Sequence, residues 1–134
     1  MTEDRPQRIK PRITAAPKLR QIYWCEFWKD AQLPEMWKTR PVIIISYKNT
    51  LHGTCLVIPT STANQVENKW AHQLSVSIEG DGVVSWAICN HLSTIATSRL
   101  KQFNQGVTLL PKEDFNQILD IVMKWLPEPF FVEN

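Results

Sequence analysis

Arg40 and Ser61 are the residues whose types and neighbours best suit chemistry. Arg40 heads the run Arg40-Pro41-Val42-Ile43-Ile44-Ile45-Ser46, a cation and a proline set directly before β-branched residues. Ser61 sits within Thr60-Ser61-Thr62, directly after Leu56-Val57-Ile58-Pro59. If the two apolar runs are antiparallel strands joined by Lys48–Gly53, the end of one lies beside the start of the other, and Arg40 shares a sheet edge with the three hydroxyls. A guanidinium beside hydroxyls and backbone N–H groups holds a phosphate well. Arginine stays protonated at ordinary pH, so proton transfer falls to another group. Glu35, five residues before Arg40, and His91, in Ile88-Cys89-Asn90-His91, are the two candidates. Asn90 can hydrogen-bond a ribose or a base but cannot take a proton. Trp37 and Trp70, both in loops, are the rings suited to base stacking.

Other chemistries find little support. There is no Gly-rich phosphate loop, no His-Glu-x-x-His and no Gly-x-Ser-x-Gly. His52, His72 and His91 are far apart, and a zinc site needs three or four converging ligands, so no metal and no cofactor is expected. Cys25, Cys55 and Cys89 are an odd number without metal-site spacing; each lies in a strand-like run and reads as a reduced core residue of a cytoplasmic protein. No stretch is long enough to span a bilayer, and the start Met-Thr-Glu-Asp-Arg has no apolar signal region.

The scaffold follows from the remaining pattern. The 134 residues, 43% hydrophobic and 21% charged, suit one globular domain with a single core. Residues 1–20 carry Arg5, Arg8, Lys10, Arg12, Lys18 and Arg20 against only Glu3 and Asp4, with three prolines and no periodicity. This predicts an extended, flexible basic arm, either a solubilising tail or an electrostatic contact with phosphates. The barrel domain is expected over residues 21–126 and a short tail over 127–134. Strands are predicted at Ile22–Trp28, Arg40–Tyr47, Thr54–Ile58 (stopped by Pro59), Leu74–Ile78, Val83–Cys89 and Ser93–Thr97. Ser98–Gln105 reads as turn. Phe115, Ile118, Leu119, Val122 and Leu126 fall at helical spacing between Pro111 and Pro127. The fold class is mainly β with a C-terminal helix: a small, twisted, mostly antiparallel barrel on which the helix packs.

The order Ile22–Trp28, Arg40-Pro41-Val42-Ile43-Ile44-Ile45-Ser46, Val57-Ile58-Pro59-Thr60-Ser61 and Ile88–Leu100 resembles the MazF/PemK (Kid) toxins of bacterial toxin–antitoxin modules. The resemblance covers roughly Gln21 to Leu126. It implies a homodimeric SH3-like, CcdB/MazF-like barrel acting as a metal-independent endoribonuclease on single-stranded RNA or mRNA. It also implies a cognate antitoxin that holds the toxin inactive, with operator DNA a possible partner of the complex. The family's arginine before the proline corresponds to Arg40, its glutamate five residues earlier to Glu35, and its threonine two residues after the proline to Ser61. Kid-like members carry an acid and a base in a late Arg-Cys-Asp stretch; the matching residues here are Ile88-Cys89-Asn90, so either His91 and Glu35 move the proton or the site is catalytically weak.

Each of these residues also has a plainer reading. Arg40 could pair with Glu35 or Glu26; Thr60, Ser61 and Thr62 could close a turn; Glu35 could be a solvated loop charge and His91 a histidine with a satisfied ring. Two readings without RNA cleavage stay open beside the endoribonuclease: a nucleic-acid- or partner-binding module of the same fold, and a CcdB-like gyrase poison. The latter relies in its family on a C-terminal Trp-Gly-Ile, where this sequence has Phe130-Phe131-Val132-Glu133-Asn134.

Overall fold

The run Val42-Ile43-Ile44 is fully buried on both faces, and the rest of the sheet is laid around it. The computed structural model describes residues 4–131; residues 1–3 of the expected arm and 132–134 of the expected tail lie outside the described residues. The strands in chain order are β1 (Gln21–Glu26), β2 (Thr39–Ile44), β3 (Thr54–Ser61), β4 (Ala71–Gln73), β5 (Trp86–Ile88), β6 (Ser93–Ala96), β7 (Leu100–Lys101) and β8 (Thr108–Leu109). The helix α1 (Lys112–Trp125) follows. All pairings are antiparallel, in the order β4-β5-β3-β2-β1-β7, with β6 also on β3 and β8 also on β1. Among the described residues no pairing joins β4 to β7, so the ladder is open rather than a closed barrel.

Strand alternation sends neighbouring residues into two cores. Ile22, Ile43 and Ile58 stack in register and meet Phe115, Ile118 and Val122 of α1. Tyr23, Val42, Ile44 and Val57 face the other way, onto Ile95, Leu100 and Ile13. Each buried Val or Ile is worth about 1.5–3 kcal/mol, so β2 anchors both halves. Cys25 and Cys55 belong to the second core and Cys89 to the first. Burial pushes the Cys25 and Cys89 thiols up to about 12 and the Cys55 thiol up to about 11.

Several strand expectations are corrected. Pro59 does not stop β3, which runs on to Ser61. Ile45 N–H donates to Leu56 C=O, so Leu56 and Ile58 face β2, while the position of the missing Pro59 N–H faces away. On that side β3 leaves β6 after Val57 and joins β5 only at Thr60, and the proline occupies the gap. β1 stops at Glu26 and β2 at Ile44. Leu74, Val76 and Ile78 alternate but form no strand, although Leu74 and Ile78 are buried. There the chain is turned by Ser77 Oγ, bonded to Asp81 Oδ1 and Gly82 N–H, and by positive φ at Gly80 and Gly82. The Val83–Cys89 strand shrinks to β5, and the stretch read as turn contains β7, held by β1.

The helix begins directly after Pro111, as its spacing predicts, with Glu113 and Asp114 in its first turn. The basic segment before β1 is irregular and lies against the sheet. Ile13 is buried in the second core, and the Pro17 carbonyl accepts from Asn49 Nδ2 at 3.0 Å. Arg12 bonds Glu26 at 2.9 Å.

Candidate active site

Arg40 enters β2 one residue before Pro41, opposite Cys25 of β1. Its Nε donates to the Trp37 carbonyl at 3.0 Å and its Nη1 to the Thr60 carbonyl at 3.3 Å. One bond comes from the loop behind it and the other from β3, so the guanidinium is fixed from two sides. Among the described residues no carboxylate lies within ion-pair distance of it: Glu26 pairs with Arg12, and the other two bridges are His72–Asp114 and Lys124–Asp120. Burial lowers the Arg40 pKa from its ordinary value. A desolvated cation without a counter-charge gains most when an anion arrives.

The hydroxyls beside it are not equivalent. Thr60 is buried, and its Oγ1 donates to the Pro41 carbonyl at 2.8 Å, so that hydroxyl is spent on tying β3 to β2. Ser61 is half-buried, and its Oγ accepts from Ala63 N–H at 3.2 Å, which leaves its proton free to be donated. Thr62 is exposed. Arg40, Thr60, Ser61 and Thr62 line one hollow of about 180 Å³. Lys38 and the loop residues Glu79 and Asp81 line it too, and none of these was singled out from the sequence. Lys38 carried a signal in its place two residues before Arg40, whereas Gly80-Asp81-Gly82 read only as a turn.

Glu35, Asn90 and His91 gather in a second hollow of about 300 Å³ with Trp28 and Met36. Asn90 and His91 lie in the short helical turn Cys89–His91 that follows β5. Burial first, and the charge of Arg40 second, push the His91 pKa below its ordinary 6.5. The imidazole is therefore held in its neutral, proton-accepting form within reach of the field of Arg40. Glu35 is exposed, and its Oε1 accepts from Gln32 N–H at 2.7 Å. Asn90 Oδ1 is buried without a hydrogen-bond donor among the described residues. The expected residues are thus divided between two hollows, with Arg40 and His91 coupled electrostatically across the division.

The two loop tryptophans separate as well. Trp37 is 49% exposed and helps to line a wider hollow of about 700 Å³ with Trp28, Lys29 and Lys38; this hollow shares Lys38 and Thr39 with that of Arg40. Trp70 instead packs edge-on against Trp125 of α1 at 5.0 Å and lines neither of the two smaller hollows.

No curated protein matches the chain by sequence. Solved structures do match its fold. MazF (Form-I) from Deinococcus radiodurans superposes with a TM-score of 0.67 at 15% identity, over 83% of this chain and 96% of that one. An endoribonuclease in complex with its cognate antitoxin from Mycobacterial species superposes with a TM-score of 0.61 at 17% identity, over 85% of this chain and 100% of that one. Both confirm the mainly β architecture with its C-terminal helix. A family model of PemK-like, MazF-like toxins of type II toxin–antitoxin systems matches residues 18–126, from before β1 to the end of α1, and the chain belongs to that family.

Proposed function

We propose that this chain is the toxin of a type II toxin–antitoxin module and cleaves single-stranded RNA, including mRNA, without a metal. One observation carries the reading: the Arg40 guanidinium is held by two backbone carbonyls, lacks a carboxylate partner among the described residues, and shares its hollow with the Ser61 hydroxyl. Family membership supports it, as does the likeness in fold to an endoribonuclease.

The chemistry asks little beyond positioning and charge. The RNA's 2′-oxygen attacks the adjacent phosphorus, the new P–O bond closes a cyclic phosphate, and the bond to the 5′-oxygen breaks, that oxygen taking up a proton from water as it leaves. Arg40 meets the negative charge that grows on the non-bridging oxygens. Ser61 donates a hydrogen bond to one of them. Neutral His91 takes the proton of the attacking 2′-hydroxyl, since its lowered pKa keeps it a base at neutral pH. Glu35, bonded to Gln32 N–H in the same hollow, is the alternative base, and Asn90 contacts ribose or base. Thr62 borders the substrate path and Trp37 stacks a base. Thr60 contributes through its carbonyl, by fixing Arg40.

A cognate antitoxin blocks this site, in line with the mycobacterial neighbour solved with its own antitoxin. The active form is a homodimer in the bacterial cytoplasm, and the toxin–antitoxin complex binds operator DNA. Incubation of the purified protein with single-stranded RNA in excess chelator tests the central reading. Fragments ending in 2′,3′-cyclic phosphate are expected. RNA left intact, or cut equally well by Arg40→Ala, would overturn it.

A further inference from the structure

The basic segment up to Pro17 lies outside the family-matched residues, which begin at 18, yet it is fixed to the sheet. Burial of Ile13 and Pro17 anchors it, and Arg8 Nη1 donates to the His52 carbonyl at 3.2 Å. Arg8 and Arg12 are thus held by bonds to the folded body. Arg12 is neutralised by Glu26, but among the described residues no carboxylate lies within ion-pair distance of Arg5 or Arg8. These two arginines, with His52 and Ser98, line a hollow of about 370 Å³ whose wall includes no acidic residue.

This hollow connects to Arg40 by a run of adjoining groups. Ser98 precedes Arg99, whose guanidinium donates to the Glu26 carbonyl at 2.9 Å and lies 5.3 Å from the centre of the Trp28 ring. Arg12 bonds both Glu26 and the Arg99 carbonyl. Trp28 and Glu26 then line the wide hollow, which carries the half-exposed Trp37 ring and opens onto that of Arg40 through Lys38 and Thr39. Thr54 and Ser61, at opposite ends of β3, mark the two termini of this run, about 23 Å apart at strand rise. Alternating cations with an exposed aromatic ring fit a single strand, whose unpaired bases can stack while its phosphates meet arginines.

We propose that Arg5 and Arg8 form a second phosphate-binding site for the same RNA strand that lies across Arg40, with the Trp37 hollow between them. The inference rests on the RNA-cleaving reading and extends it: the substrate is a single strand long enough to cover both ends of β3, and short strands miss the arm.

The test is the binding of a fluorescent 2′-O-methyl single strand, which lacks the attacking hydroxyl, measured by anisotropy across a salt series. Full-length Arg5→Gln/Arg8→Gln keeps Ile13 in place, so the fold is not at stake. On a strand of about 16 nucleotides, the slope of log affinity against log salt should fall by about 1.4, at about 0.7 for each lost contact. On a strand of about 4 nucleotides it should not change. An unchanged slope on the long strand would overturn the proposal. So would an equal change on both lengths, or a change confined to duplex DNA. Cleavage of unmodified RNA by the wild-type protein is scored separately, so failure of the cleavage reading and failure of this second site appear in different measurements.

Discussion

Asp114 and Arg40 are both charged groups drawn in from solvent, and the protein treats them in opposite ways. Asp114, buried on the first turn of α1, is saturated: His72 Nε2 lies 2.8 Å away, Ser75 N–H donates at 3.0 Å, and Ser75 Oγ adds a further short bond. These hydrogen bonds hold its pKa below the ordinary value although burial alone would raise it. Arg40 has two neutral carbonyls and, among the described residues, no carboxylate within ion-pair distance. A charge like that of Asp114 serves the fold, because both of its oxygens are engaged inside the molecule. A charge left unpaired costs the fold something and is retained where a ligand completes it.

The largest effect that separates the two belongs to Arg40→Ala. RNA cleavage should fall about a thousandfold while the denaturation midpoint hardly moves, as measured by fragment release and by urea titration. A large loss of stability instead would place Arg40 in the same class as Asp114. His91→Ala comes next, with about a hundredfold loss of rate. Because its folded pKa lies below 6.5, the acid limb of the pH–rate profile should lie below pH 6.5 and vanish in the variant. The same shift means that His91 weakens the fold as pH falls below 6.5, since the unfolded chain takes up the proton first.

Asp114→Asn should behave in reverse, costing about 2 kcal/mol of stability with cleavage per folded molecule unchanged. Its folded pKa is depressed, so its contribution is complete above the ordinary carboxylate pKa and is lost as acid carries the pH down through the folded value. Urea midpoints of the two proteins should accordingly converge in acid. The smallest effect is that of Ser61→Ala, about a tenfold loss of rate, because one hydroxyl donor is removed while Arg40 stays in place.

The parts of this structure that were legible in the sequence are those set by local pattern. Val42-Ile43-Ile44 reads as a strand covered on both faces, and the apolar spacing between Pro111 and Pro127 as a helix, which runs from Lys112 to Trp125. The hairpin between β2 and β3 placed Arg40 beside Ser61 from connectivity alone. The rest depended on distant partners. Pro59 reads as a stop until one sees that β3 changes neighbours there. The alternation of Leu74, Val76 and Ile78 is real, but Ser77 and two left-handed glycines turn the chain before a ladder can form. Likewise β7 is two residues long and exists because β1 holds it. The separation of Arg40 from Glu35, Asn90 and His91 into two hollows depends on how the turn after β5 meets the β1–β2 loop, which no local spacing encodes.

The three cysteines offer a use of a different kind. With their thiols protonated and enclosed, an alkylating reagent finds no thiolate until the surrounding core opens. Cys25 and Cys55 report on the half built around Val42, Ile44 and the Ile13 anchor, and Cys89 on the half closed by α1. The chain thus carries two independent clocks for local opening, one for each face of its central strand, already installed and requiring no label to be engineered.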